Sequence, residues 1–133
     1  MHGNATTSKD FSMHLSLNLP YPPSVNHYWG SVGKRRFLTD KAKNFRVATL
    51  VAFRGARHAG FGDARLSVSI DLHMPDRRVR DIDNVVKSVF DALCHAGAFT
   101  DDSQVDVLFV RRAPPEKGGR CTVRIVPIGS CGQ

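Results

Sequence analysis

The chain has 133 residues, 41% of them hydrophobic and 23% charged, a length and balance that fit one globular domain and exclude a two-domain enzyme. Its net charge is +7, and residues 31–60 carry eight Lys or Arg (Lys34, Arg35, Arg36, Lys41, Lys43, Arg46, Arg54, Arg57) against one acid, Asp40, so the whole excess sits in that segment. Apolar runs such as Val105 to Val110 are far short of the roughly 20 residues that cross a bilayer, and Cys94, Cys121 and Cys131 lack zinc spacing and read as free thiols.

Residues 1–12 are polar and read as a disordered leader without the apolar stretch of a secretory signal, which sets the expectation of a cytoplasmic protein. Leu15, Leu17 and Leu19 alternate with Ser16 and Asn18 in a first strand closed by Pro20. Three prolines make residues 20–26 a rigid loop, since they remove amide donors and fix φ. Arg35 to Leu38 suit a short strand, and Thr39-Asp40 supplies an N-cap and a first-turn acid for a helix to about His58. Helical spacing puts Phe45, Ala48, Val51 and Ala52 on one side, and Lys43, Arg46, Arg54 and Arg57 on the other as a cationic stripe.

Leu66, Val68, Ile70 and Leu72 alternate with polar residues in a strand that ends at Met74-Pro75. The charged loop Asp76-Arg77-Arg78-Val79-Arg80 leads into Asp81-Ile82-Asp83-Asn84 and a second helix. That helix has an apolar face of Val85, Val86, Val89, Phe90, Ala92, Leu93 and Ala96, a polar face of Asn84, Lys87, Ser88 and Asp91, and Gly97 as its stop. Val105 to Arg111 and Cys121 to Pro127 are predicted strands joined by a hairpin-like Pro/Gly connection. The expected architecture is α+β: a single two-layer domain over 13–128, with a mixed β-sheet packed against helices and a frayed tail over 129–133.

A positive field confined to one segment suits a polyanion, because neutralising phosphates releases counterions; a phospholipid surface or plain solvation answers to charge alone equally well. The acids narrow the choice. Asp76, Asp81, Asp83, Asp91, Asp101 and Asp102 crowd around the second helix of a basic protein. If the chain returns so that Asp101 and Asp102 meet Asp81 and Asp83, the result is a hard all-oxygen ligand set suited to Mg²⁺ or Mn²⁺ and to phosphodiester hydrolysis. Lys87, one turn after Asp83, then stands where it can position water or stabilise the transition state. Taken singly, Asp81 or Asp83 serves equally well as a helix cap, and Lys87 with Asp91 as a surface i,i+4 pair. The six histidines are scattered and read as solvated or structural; His73, on the strand entering the acidic loop, is the one to weigh as a phosphate contact or a support to a ligand. Tyr28 and Trp29 suit base stacking or packing, with packing favoured.

The run from Asp76 to Lys87, followed by Phe90-Asp91-Ala92-Leu93, Ala96-Gly97 and Asp101-Asp102-Ser103-Gln104-Val105, resembles the RusA family of Holliday junction resolvases. The likeness extends to Leu19-Pro20-Tyr21-Pro22-Pro23-Ser24-Val25-Asn26 and to Lys117-Gly118-Gly119-Arg120. The resemblance implies a RusA-like fold and a homodimeric, Mg²⁺-dependent endodeoxyribonuclease, with Mn²⁺ as substitute, that resolves four-way branched DNA in recombination and repair. It implies metal-binding and catalytic roles for Asp81, Asp83 and Asp102, a catalytic lysine in Lys87, junction binding by Arg80 and supporting roles for Asp91 and Asp101. Arg77, Arg78, Lys43, Arg46, Arg54 and Arg57 complete the expected DNA contacts, and the setting is bacterial cytoplasm, at the nucleoid or phage-encoded, with no membrane partner. Two alternatives stand beside it: a non-catalytic architectural protein that binds branched DNA, and a nuclease acting mainly on flaps or forks.

Overall fold

The structure, a computed structural model, describes residues 14–128; the leader at 1–12 and the tail at 129–133 expected from sequence lie outside the described residues. In chain order the elements are β1 (Leu15–Leu19), α1 (Val25–Tyr28), β2 (Trp29–Val32), β3 (Arg35–Leu38), α2 (Asp40–Ala56), β4 (Leu66–His73), a 3₁₀ turn (Ile82–Val85), α3 (Val86–Ala96), a second 3₁₀ turn (Asp102–Gln104), β5 (Val105–Ala113) and β6 (Arg120–Pro127). Four strands form a mixed sheet in the order β1-β6-β4-β5, and β2 and β3 form a separate antiparallel ribbon. The α+β expectation therefore holds.

Period-2 alternation sets which face of the sheet is covered. Leu15, Leu17 and Leu19 of β1, Leu66, Val68, Ile70 and Leu72 of β4, and Cys121, Val123 and Ile125 of β6 are buried with Phe45 and Phe53 of α2 and Val89, Phe90 and Leu93 of α3 in one core. Register locks them together: Leu17 opposes Val123, which opposes Ile70, which lies beside Val110. Each such side chain contributes about 1.5–3 kcal/mol by leaving water, so a charge at Ile70 would unseat both layers at once.

β4 and β5 run parallel, as a strand–helix–strand crossover through α3 requires. The connection from β5 to β6 is not a hairpin, which corrects the sequence expectation: β6 lies between β1 and β4, and the chain crosses the end of β4 to reach it. Glu116 N–H donates to the Met74 carbonyl at 3.0 Å as the loop passes over. Gly118 and Gly119 have φ of +83° and +76°, and a Cβ on Gly119 would meet the Tyr21 Cβ at 2.8 Å, so the crossing needs glycine there.

α2 begins where its cap predicts, with the Thr39 hydroxyl accepting from Ala42 N–H at 3.2 Å, and ends at Arg57 in the left-handed region. Its buried face differs from the expected one. Ala42, Phe45, Thr49 and Phe53 point inward while Val51 is 65% exposed. Thr49 tolerates burial because its hydroxyl donates to the Phe45 carbonyl at 2.8 Å. The proline loop also ends earlier than expected, since Val25 already begins the short helix α1.

Candidate active site

The loop between β4 and α3 is organised by one carboxylate. Asp76 accepts from Arg78 N–H at 2.9 Å and pairs with the guanidinium groups of Arg78 and Arg80. The Arg80 hydrogen bond, with that of Arg78 N–H, holds the Asp76 carboxyl well below the usual carboxylate range. Arg80 also lies 5.9 Å from the Tyr21 ring centroid, and its carbonyl accepts from Arg112 Nη2 at 3.0 Å. β5 therefore grips the backbone immediately before Asp81. Arg77, Arg78 and Val79 are exposed on the loop's outer side.

Asp81 occupies the N-cap position of the first 3₁₀ turn, yet its side chain makes no capping hydrogen bond. Capping alone does not account for it. Asp83 lies inside that turn, four residues before Lys87, and both acids are exposed. Lys87, in the first turn of α3, reaches Asp102 Oδ2 at 3.5 Å. The start of α3 and the second 3₁₀ turn thus face one another through Lys87 and Asp102.

Asp101 and Gln104 hold Asp102 in place. Asp101 accepts from Ser103 N–H at 2.9 Å, Gln104 Oε1 accepts from Asp101 N–H at 2.8 Å, and the two form a capping box. Hydrogen bonds from Ser103 lower the Asp101 carboxyl pKa. The buried Gln104 amide also accepts from Thr100 N–H and donates to the carbonyls of Gly62 and Ala64, at 3.0, 2.9 and 2.6 Å. Gln104 is a positioning residue that the sequence did not single out, although Asp101 followed three residues later by Gln104 is the capping-box signal.

A groove of about 440 Å³ runs alongside, walled by Lys87, Asp102, Asp91, Cys94, Trp29 and Arg36; Asp81 and Asp83 are not among its walls. Arg36 lies over the Trp29 ring at 4.7 Å, so the β2–β3 ribbon presents a cation and an aromatic face across from Lys87. Tyr28 is buried, in agreement with the packing preference, and its hydroxyl donates to Asp91. Burial pushes the Cys94 thiol up to about 11, with Asp102 and Asp101 adding to the shift.

Asp91 is not paired with Lys87. Arg46 grips it from α2, Nε to Oδ2 at 2.8 Å and Nη2 to Oδ1 at 3.1 Å, with Arg46 Nε also 3.2 Å from the Tyr28 hydroxyl. Arg46 therefore points inward from the cationic stripe, while Lys43, Arg54 and Arg57 stay exposed. Ser88, expected on an open polar face, is buried and donates to the Pro23 carbonyl at 2.7 Å. His73 has its ring Nδ1 2.8 Å from the Pro114 carbonyl, which ties it to the crossover loop.

Among the described residues, no three His, Cys, Asp or Glu side chains already stand in a metal-binding cluster. The donor chemistry nevertheless fits a hard cation: Asp81, Asp83 and Asp102 offer oxygen only, and among the described residues the ion pair made by this set is the long one from Lys87 to Asp102.

Carboxylates and a lysine at one helix start, beside a groove with a cationic aromatic wall, are the equipment of a nuclease. Residues 20–126 match the family described as Endodeoxyribonuclease RusA. The chain is 37% identical over 112 residues to the crossover junction endodeoxyribonuclease rusA of Enterobacteria phage HK97, covering 84% of this chain and 93% of the relative. Against the enzyme of that name from Escherichia coli strain K12 the identity is 37% over 116 residues, 86% and 96% of the two chains. Against that of Enterobacteria phage 82 it is 36% over 115 residues, 86% and 95%. The chain belongs to the RusA family of endodeoxyribonucleases.

Proposed function

We propose that this protein resolves Holliday junctions, cutting four-way DNA by paired, Mg²⁺-dependent phosphodiester hydrolysis as a homodimer in the cytoplasm of a bacterium or of a phage-infected cell. The observation that carries the reading is Lys87 held 3.5 Å from Asp102 and four residues after Asp83. Asp81, Asp83 and Asp102 would hold the ion, with Mn²⁺ as substitute, and its chemistry is to make water nucleophilic near neutral pH and offset charge growing on phosphate oxygens.

The remaining work falls to side chains. Lys87 places an ammonium beside the reacting phosphate, where it steadies developing negative charge. Asp101 and Asp91 support the site from behind, one by capping the turn that carries Asp102 and the other by joining α3 to α2 through Arg46. Arg77, Arg78 and Arg80 on the loop, with Lys43, Arg54 and Arg57 on α2, contact phosphates along the arms and set affinity without reading sequence. A two-fold assembly presents two identical sites to a substrate that is itself nearly two-fold.

The architectural reading, in which the acids only cap helices, is disfavoured by Asp81, whose side chain makes no cap bond. Comparing a synthetic four-way junction, a flap, a fork and a linear duplex, each with Mg²⁺ and with chelator, tests the proposal. Symmetric metal-dependent nicks confined to the junction are expected. Faster cutting of flaps or forks would move the substrate, and tight junction binding with no cutting would restore the architectural reading.

A further inference from the structure

The β2–β3 ribbon carries basic charge that neither the acidic site nor the stripe on α2 accounts for. Lys34, Arg35 and Arg36 are exposed along it, and among the described residues none of the three is paired with a carboxylate. Trp29 and Ser31 share one face of β2, and Arg36 stands opposite Ser31 on β3. Trp29 and Arg36 therefore lie side by side on that face, with Arg36 Cζ 4.7 Å from the Trp29 ring centroid. Phe37 takes the other face, where a Cβ on Gly30 would run into its ring. The ribbon is anchored at its base, since the Tyr28 ring meets Trp29 edge-on at 5.6 Å and Thr39 N–H donates to the Tyr28 carbonyl at 3.1 Å. Trp29 nevertheless stays 37% exposed.

We propose that the groove between this ribbon and α3 receives one unstacked nucleobase of the strand being cut, stacked on the Trp29–Arg36 pair. The proposal rests on the nuclease reading of Lys87 and Asp102 and gives the groove beside them an occupant. At about 440 Å³ the groove falls in the roughly 300–1,000 Å³ range of sites that enclose a small flat ligand. Its buried lining, Tyr28, Ser88 and Phe90, carries no charge, and Asp91 next to them is already taken by Arg46. Its exposed lining is charged, with Arg36 and Lys87 as cations and Asp101 as an acid. A neutral, planar group suits the floor, while a phosphate belongs outside with the two cations. Aromatic rings and guanidinium planes are the surfaces on which unpaired bases stack.

The groove also supplies a reason for cutting branched DNA in preference to linear DNA. A base in a continuous duplex reaches it only by giving up stacking and pairing, a cost that is smallest where pairing is already interrupted. The branch point of a four-way junction is such a place. A junction base enters the groove and brings its phosphate against Lys87, whereas a linear duplex is held along its phosphates with its bases still stacked. Lys34 and Arg35 grip neighbouring phosphates of the same strand without reading sequence.

Trp29 is the single tryptophan of the chain, so its fluorescence reports the groove in the wild-type protein. Emission is read in chelator with a four-way junction, a linear duplex of the same sequence, and that duplex carrying one mismatch. Stacking of a base on the indole should quench about half of the emission or more with the junction, little with the perfect duplex and an intermediate share with the mismatch. An abasic nucleotide moved through the branch point removes a base and keeps its phosphate, and at one position it should abolish the quenching. Trp29→Ala should bind the junction about 10-fold more weakly with duplex binding unchanged, and Trp29→Phe should stay close to wild type. Equal quenching by junction and perfect duplex, or quenching that survives every abasic position, overturns the proposal. So does an equal loss of junction and duplex binding in Trp29→Ala with unchanged circular dichroism; should that variant fail to fold, the wild-type emission and the abasic series decide. Metal-dependent junction cutting without selective quenching overturns the groove alone, and selective quenching without cutting overturns the nuclease reading alone.

Discussion

Replacing Gln104 with Leu keeps the volume and removes a carboxamide whose four hydrogen bonds are all to backbone. Two of those groups keep a partner, because Thr100 N–H also donates to the Gly62 carbonyl at 3.1 Å and Gly62 still accepts from the Thr100 hydroxyl. Asp101 N–H and the Ala64 carbonyl lose the partner that Gln104 gave them. Both groups are only part-buried, so at about 0.5–1.5 kcal/mol for each lost hydrogen bond the cost is about 2 kcal/mol. With a urea slope of about 1.5 kcal/mol per molar for a domain of this size, the midpoint should fall by about 1.3 M. Cleavage should fall further than unfolding explains under conditions where the variant remains folded, because the 3₁₀ turn that carries Asp102 loses its anchor. A midpoint shift below about 0.3 M, or unchanged cleavage, would refute the view that Gln104 holds Asp102 in position.

Arg46→Ala leaves the partly buried Asp91 carboxylate with the Tyr28 hydroxyl as its remaining partner and should cost about 2 kcal/mol in urea unfolding; a cost near zero would return Arg46 to the DNA-facing stripe. The carboxyls of Asp71, Asp76, Asp106 and Glu116 are held below their ordinary values, chiefly by hydrogen bonds from Arg111, Arg80, Arg65 and Arg120. Their folded pKa values lie below the unfolded ones, so the stability they contribute is present above about pH 4–5 and is lost as the pH falls through the folded values. The urea midpoint should therefore drop on acidification below that range, and Asp71→Asn should make the drop shallower; an equal drop would contradict the assignment. Neutralising Lys43, Arg54 and Arg57 should flatten the salt dependence of duplex binding by about 0.9 for each phosphate no longer neutralised, and an unchanged slope would remove α2 from the interface.

The elements were legible where one residue's neighbours in sequence decide its fate. Alternation alone located β1 and β4, Thr39 and Gly97 marked helix ends, and the acidic run with its lysine singled out the candidate site proposed above. Long-range partners were not legible. Val51 is exposed where burial was expected, and Thr49 is buried because a hydroxyl that bonds the preceding turn can be buried, which hydropathy does not record. Arg46 looked like solvent-facing charge, yet its partner Asp91 stands 45 positions away. The insertion of β6 between β1 and β4 was hidden for a similar reason, since a Pro/Gly connection fits a hairpin and a crossover equally well until the pairing of β1 with β6 is known.

Asp81→Asn puts the nuclease site to its most direct test when junction binding and junction cleavage are measured on the same preparation. Loss of cleavage with binding equal to or tighter than wild type, and an unchanged unfolding midpoint, is the predicted result. Retained metal-dependent cleavage, or loss of binding and cleavage in equal measure, would contradict the place given to Asp81 in that site.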